Sequence, residues 1–428
     1  MKIFGKILAN VLVASSLFYI PAQAQPIVRK ALFLGNSYTY VNNLPLLVAA
    51  LASASGDSLV FDSHAPGGYT LGWQPIAHAT DPVSLAKVGA DDWDFVILQE
   101  QSQTPAIPAL RDSCIYPASI VLHDSIKSVN PCSRVLFFLT WGRRFGGMQC
   151  FTANYCSPDF TGFSQMQDSL TLAYKGIADT LSGWIAPAGE AWRYVTSSHG
   201  MVLHDADNSH PNLNGSYLSA CVFYDVMFGK PSSGNSFTAG LTADSALILQ
   251  QAADSVTFGY AEKWNLNNDM PRAAFSFQAA GDTLFTENAC TGASSWIWDF
   301  GDGQTSNLFE PVHEYANAGT YPVKLTACNA CFCDSATRLV EITQVNVTEL
   351  HVANHPIILA GPDKHGIYQF QGYSGNGNLV ISDLTGRNFG SFRVINGISM
   401  GNPVQQGIWF WTLSDLQEQV LANGCFAK

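Results

Sequence analysis

Four short, unbroken apolar runs, at residues 31–34, 59–61, 95–98 and 135–139, alternate with longer stretches of helical spacing near 44–54, 109–129 and 163–181. A strand with one wet face alternates apolar and polar residues, whereas a continuous apolar run marks a strand covered on both faces. The alternation therefore predicts a parallel sheet with helices on each side, an α/β domain. Two further stretches, 213–228 and 242–264, read as closing helices and end this domain at about Trp264.

Chemistry concentrates where these strands end. The first run passes into Gly35-Asn36-Ser37-Tyr38-Thr39, so Ser37 lies on a turn at the C-terminal end of a buried strand, the edge where open α/β sheets place their active sites. Some 170 residues later comes Asp207-Asn208-Ser209-His210-Pro211. A serine hydroxyl is a weak nucleophile near neutral pH and needs a base, itself held by a third group. His210 supplies a base, and Asp207, three positions earlier, reaches its Nδ1 within one turn. Each residue also has a plainer reading: Ser37 as a helix N-cap, Asp207 as a turn former and His210 as a packed loop ring.

With these motifs the stretch from about 30 to 264 resembles the SGNH hydrolases, also called GDSL-like esterases. Their Gly-Asp-Ser block corresponds to Gly35-Asn36-Ser37, with asparagine in place of aspartate. Their second-strand glycine corresponds to Gly67-Gly68, and their Asp-x-x-His to Asp207 and His210. Their Gly-x-Asn-Asp block corresponds to Gln99-Glu100-Gln101-Ser102, where Gln101 takes the asparagine's place. The resemblance implies a three-layer α/β/α fold with Ser37, Asp207 and His210 as catalytic residues. It also implies an oxyanion hole made of the amides of Ser37 and Gly68 with the Gln101 carboxamide. Gln99 and Gln103 alternate with Gln101, so any of the three amides is a candidate for the site. Trp141 and Arg143 follow the fourth apolar run and Glu190 follows Pro187. With Gln99 they are the candidates for substrate contact, by ring stacking and anion binding; a helix-start carboxylate is the simpler account of Glu190.

Residues 1–24 read as a secretory signal peptide: Lys2 and Lys6, an apolar stretch 7–20, and Ala22-Gln23-Ala24 before the cut. That stretch is short for a membrane span, and no later segment is long and apolar enough to make one. Its loss removes two lysines and no acids and takes the formal charge from −12 to −14, which argues against nucleic acid as a partner. Ten cysteines fit an oxidising compartment. Cys150 with Cys156, and Cys114 with Cys132, are plausible bridges. Cys328-x-x-Cys331-x-Cys333 is read as disulfide rather than zinc, and chemistry by Ser37, His210 and Asp207 needs no metal or organic cofactor.

Beyond the 265–271 linker the texture becomes short strands with turns. Trp296-Ile297-Trp298-Asp299-Phe300-Gly301-Asp302-Gly303, followed by His313-Glu314-Tyr315 and Gly319-Thr320-Tyr321, resembles a PKD domain, an immunoglobulin-like sandwich, over 271–345. Asp299 and Asp302 are read as turn formers rather than calcium ligands. Residues 346–428 are strand-rich again. Leu379-Val380-Ile381-Ser382-Asp383-Leu384-Thr385-Gly386-Arg387 and Gly407-Ile408-Trp409 resemble the C-terminal sorting domain of the type IX secretion system, which implies that machinery as a partner and a secreted or outer-membrane surface location. The expectation is thus an α/β domain of SGNH type followed by two small all-β sandwich domains. Its function would be serine esterase chemistry on O-acyl groups of a carbohydrate, acetyl among them, or on a small ester. The alternative is an inert glycan-binding or adhesive surface protein.

Overall fold

The computed structural model describes residues 25–343 and, beyond them, 358–360, 367–371, 375–382, 387–395, 398–400, 408–414, 416 and 419–427. The signal-peptide assignment at 1–24 and the Asp383–Gly386 part of the sorting-domain motif lie outside these residues.

The first domain is built on strands β1 (Val28–Leu34), β2 (Ser58–His64), β3 (Phe95–Leu98), β4 (Arg134–Phe138) and β7 (Trp184–Ala186). They form one sheet in the order β2-β1-β3-β4-β7, with every neighbouring pair parallel. Strands β3 and β4 are buried along their whole length, and β1 is buried from Ala31 to Leu34, as continuous apolar runs require. The three-residue β7 has too short a run to stand out in sequence. Between β4 and β7 the chain makes an antiparallel hairpin, β5 (Gly147–Thr152) with β6 (Tyr155–Phe160), closed by the Cys150–Cys156 disulfide.

Helices cover the sheet: α1 (Ser37–Tyr40), α2 (Leu44–Ala54), α3 (Pro82–Val88), α4 (Pro108–Leu110), α5 (Tyr116–Val129), α6 (Phe163–Leu181), α7 (Ala188–His199), α8 (Leu213–Phe228) and α9 (Ala243–Gly259). Local chemistry fixes their starts. Asp81, Asn212 and Thr242 each accept a hydrogen bond from a first-turn amide of α3, α8 and α9, the usual service of an N-cap. Helix α8 is buried all round, which explains why its sequence shows little polar periodicity. The expected closing helix 242–264 ends instead at Gly259, and the chain continues in turns that bury Trp264 and Leu266 in the same core.

The strand order positions the site. From β1 the chain steps outward to β2, then crosses to the other side of β1 to form β3. Neighbouring loops at the C-terminal ends of β1 and β3 therefore leave in opposite directions and open a crevice between them, the switch point where open α/β sheets bind ligands.

Residues after 271 carry β8 (Phe275–Ala280), β9 (Thr283–Asn288), β10 (Ser295–Asp299), β11 (Thr305–Ser306), β12 (Val312–Glu314), β13 (Gly319–Cys328) and β14 (Cys333–Ile342), in a four-stranded and a three-stranded sheet. Trp298 is fully buried there. Asp299 accepts from the Gly301 amide, and Asp302 accepts from the Gln304 amide and pairs with His313; their carboxylates are occupied in building the turn. The final strands, β15 (Ile358–Ala360), β16 (Ile367–Gln371), β17 (Gly377–Ser382), β18 (Asn388–Ile395), β19 (Ile398–Met400), β20 (Ile408–Ser414) and β21 (Val420–Ala427), make an antiparallel sheet around Tyr368, Leu379, Ile381, Val394 and Leu413.

The cysteine pairing corrects one expectation. Cys132 bonds Cys331 rather than Cys114, Cys328 bonds Cys333, and Cys114 is free. Cys132 lies on the turn into β4, against the tip of the β13–β14 hairpin. Asn329 in that tip donates to the Asp269 carbonyl, while the Asp269 carboxylate pairs with Arg134 and accepts from Trp184 Nε1. The Arg134 guanidinium lies 3.7 Å over the Phe332 ring. The 265–271 stretch is thus anchored rather than a free linker.

Candidate active site

Ser37 is the first residue of α1, immediately beyond β1. Gly35 makes the turn because no side chain fits: a Cβ there would stand 2.5 Å from Thr39 Oγ1 and 2.6 Å from Gln99 Oε1. Asn36 caps the helix by accepting from the Tyr38 amide, and its Nδ2 donates to the Tyr69 carbonyl at 2.8 Å. His78, fully buried, braces the same turn with Nε2 against the Gly35 carbonyl at 2.8 Å; burial drives its pKa down to about 4, so the ring is neutral.

His210 Nε2 lies 2.9 Å from Ser37 Oγ, and His210 Nδ1 is hydrogen-bonded to Asp207 Oδ2. The other carboxylate oxygen accepts from the amides of Ser209 and His210 at 3.0 and 2.9 Å. Partial burial works to raise the Asp207 carboxyl, but the His210 ring and these two amides outweigh it and hold its pKa at about 2. An ionised Asp207 keeps the proton on Nδ1 and leaves Nε2 as an acceptor toward Ser37.

Aromatic packing holds this loop in place. Tyr38 stacks on Trp141 with centroids 4.6 Å apart, and Trp141 stacks on Trp192 at 3.9 Å. Trp141 Nε1 donates to the Ser209 carbonyl at 2.9 Å, and the Tyr38 hydroxyl is 2.8 Å from Ser209 Oγ. Tyr38, Ser209 and Trp192 went unread in the sequence, where the adjacency of Tyr38 and Ser209 to the two motifs was the available signal.

A cavity of about 320 Å³ opens at this edge, within the range of small-ligand sites. Ser37, Asp207 and His210 line it together with Gly68, Gln101 and Arg143. Gly68 has a φ of +74°, a turn that glycine takes without strain. Gln101 Oε1 accepts from the Gln103 amide at 2.9 Å, and no described group accepts from its Nε2, which remains available as a donor.

Three of the four substrate-contact candidates are corrected. Gln99 is fully buried and bonded to the nucleophile turn, its Oε1 accepting from the Asn36 amide and its Nε2 donating to Asn36 Oδ1. Trp141 is fully buried in the aromatic stack and exposes no face to a ligand. Glu190 sits in the first turn of α7, accepting from Thr171 and paired with Arg193; it is a helix-start carboxylate. Only Arg143 reaches the cavity.

A serine, a histidine and an aspartate thus stand in hydrogen-bonded series at the carboxyl edge of the parallel sheet of a three-layer α/β fold. Solved structures similar to this chain include a DUF4886 family protein from Bacteroides uniformis, 17% identical, with a TM-score of 0.47 and covering 55% of this chain and 96% of that one. They also include a putative SGNH hydrolase from Slackia heliotrinireducens, 23% identical, with a TM-score of 0.37 and covering 47% of this chain and 99% of that one. Residues 271–344 match the PKD domain family. Over 101 residues the chain is 32% identical to the pre-pro-metalloprotease PrtV of Vibrio cholerae, a match that takes in 22% of this chain and spans only 11% of that protein's length. Among the described residues no helix is long and apolar enough to cross a membrane.

Proposed function

We propose that the protein is a serine esterase that removes O-acyl groups, acetyl above all, from carbohydrate. The observation that carries this reading is the continuous relay Ser37–His210–Asp207 opening into a cavity that Gly68 and Gln101 also line.

In this mechanism His210 Nε2 takes the Ser37 proton as Oγ attacks the ester carbonyl. Negative charge develops on the carbonyl oxygen, where the amides of Ser37 and Gly68 and the Gln101 carboxamide donate to it. The tetrahedral intermediate collapses as His210 returns the proton to the leaving alkoxide, and water, deprotonated by the same imidazole, releases the acid from Ser37. Asp207 fixes the tautomer and offsets the imidazolium charge without taking the proton itself. The small cavity favours a short acyl chain, and its polar lining favours a sugar over a lipid.

Export by the 1–24 signal peptide and passage through the type IX machinery by the 346–428 domain complete the proposal, with 271–345 as a spacer or binding module. The test is hydrolysis of p-nitrophenyl acetate and longer acyl esters by the full chain beside Ser37→Ala. Hydrolysis lost in a folded Ser37→Ala supports the reading. Equal, background-level rates in both folded proteins, on these esters and on acetylated oligosaccharides, overturn it in favour of an inert glycan-binding protein.

A further inference from the structure

We infer that Arg143 is an anion subsite of the catalytic cavity and that the preferred substrate is an acylated acidic sugar, a uronate whose carboxylate lies within one ring of the scissile ester. This rests on the esterase reading and adds the class of sugar.

Arg143 lines the same cavity as Ser37 and His210. Its guanidinium is oriented by neutral acceptors only: one terminal nitrogen donates to Ser102 Oγ and to Gln103 Oε1, both at 3.1 Å. Its Nε is buried and makes no hydrogen bond. No described carboxylate pairs with it; Asp207, the one carboxylate on the cavity wall, is committed to His210. Elsewhere Arg111, Arg134 and Arg193 each pair with an aspartate. A half-buried guanidinium held in position with its charge uncompensated is a costly arrangement. It becomes favourable when an anion arrives to accept from the other terminal nitrogen, which no described group engages.

Position sharpens the inference. Ser102 and Gln103 directly follow Gln101, so the loop that aims the Gln101 amide also aims the guanidinium. Gln103 is fixed in turn by donating from Nε2 to the Cys150 carbonyl of the β5–β6 hairpin at 3.0 Å. An anion bound by Arg143 therefore registers the acylated hydroxyl against Ser37. The chain's overall charge of −12 repels long polyanions, so the recognition is local and suits short acidic oligosaccharides.

The test compares kcat/KM on mono-O-acetylated galacturonate oligosaccharides with that on mono-O-acetylated xylo-oligosaccharides at physiological salt. It uses the full chain, Arg143→Gln and Arg143→Lys, with p-nitrophenyl acetate as a reference. Wild type is expected to favour the acidic substrate by about tenfold or more, equivalent to one charge-assisted contact. Arg143→Gln should abolish that ratio, and Arg143→Lys should keep part of it through charge alone. A wild type active on p-nitrophenyl acetate but indifferent to sugar charge overturns the inference, as does an Arg143→Gln that lowers both sugar substrates equally. Binding is read separately by the thermal shift that unacetylated galacturonate oligosaccharide gives to Ser37→Ala. A shift absent from Ser37→Ala/Arg143→Gln supports the subsite even where ester hydrolysis fails, and no shift in either counts against it.

Discussion

Gln99 and Asn36 clasp each other end to end: the Asn36 amide donates to Gln99 Oε1 at 2.8 Å, and Gln99 Nε2 donates to Asn36 Oδ1 at 2.9 Å. The clasp joins the end of β3 to the nucleophile turn. It leaves Asn36 Nδ2 to donate to the Tyr69 carbonyl, one residue beyond Gly68. Both departures from the usual Gly-Asp-Ser and Gly-x-Asn-Asp blocks fall on this β1–β3 edge. An aspartate at 36 has no donor for Tyr69.

Asn36→Asp distinguishes this clasp from ordinary capping. Capping alone predicts little change, because aspartate and asparagine cap equally well. The clasp predicts a loss of about 1–3 kcal/mol, since a carboxylate oxygen would then face the Tyr69 carbonyl. Urea unfolding measures it, and an unchanged midpoint would show that the Tyr69 bond carries no weight.

The two glutamines separate by what each variant loses. Gln101→Ala should lower kcat by about 10²–10³, the effect of one oxyanion donor, with melting little changed. Gln99→Ala should lower the melting temperature first, because it strips the buried clasp and leaves the Asn36 backbone amide without an acceptor. Circular dichroism melts beside steady-state kinetics on one acetyl ester read both, and the reverse pattern would exchange their roles.

The layered fold was legible because the runs of β1, β3 and β4 are buried and α2, α5 and α6 are long; β2 was legible from its apolar run although it lies at the sheet edge with Val60 exposed. So were the two motifs, whose residues the topology brings to one cavity. What remained hidden was orientation. Strand-end residues emerge at the right edge, but sequence does not say which point up into the crevice and which point down into the core. Trp141 and Arg143 are two apart and part company there, one into the aromatic stack and the other into the cavity. The Cys132–Cys331 bond was unreadable for a different reason, since it joins residues 199 apart across two kinds of fold.

Glu100 should give folding a distinctive pH signature. Its carboxyl is fully buried at the end of β3 and accepts from the amides of Leu71 and Gln101, bridging the Gly68 and Gln101 loops. Burial pushes its pKa up to about 7 against the pull of those amides. A carboxyl raised in the folded state favours folding at low pH and loses that contribution as pH rises from the ordinary carboxylate range through about 7. Wild type should therefore lose on the order of 1–3 kcal/mol across that window from this group. Glu100→Gln should flatten the slope, whatever its own stability. Parallel slopes in denaturation series between pH 4.5 and 8 would place the titration elsewhere.

Asp207→Asn tests the relay. Because the carboxyl is held at about 2, Asp207 stays ionised through any workable assay, and the acid limb of the activity profile does not belong to it. Replacing the carboxylate by an amide removes the group that fixes the His210 tautomer, a change that costs up to about 10⁴ in kcat in a buried triad. Here Asp207 is 49% exposed, water competes for the imidazole, and a smaller loss of about 10²–10³ is expected. KM should move little. A fall in kcat/KM that comes wholly from KM would show that Asp207 shapes the cavity instead of the base.

The Cys132–Cys331 bond should stabilise more than its neighbour Cys328–Cys333. On the chain-entropy view a cross-link acts on the unfolded chain, and its effect grows with the loop it closes. Separations of 199 and 5 residues correspond to upper values of about 5 and about 2 kcal/mol. Native anchoring points the same way, since the long-range bond sits beside the Asp269–Arg134 pair and the Phe332–Arg134 contact. Cys132→Ala/Cys331→Ala should thus lower unfolding free energy by up to about 3 kcal/mol more than Cys328→Ala/Cys333→Ala. It should also expose 265–271 to proteolysis, while the shorter bond's removal leaves that stretch protected. Equal losses, or cleavage at the same rate in both variants, would mean that the noncovalent contacts around Asp269 hold the stretch without the disulfide.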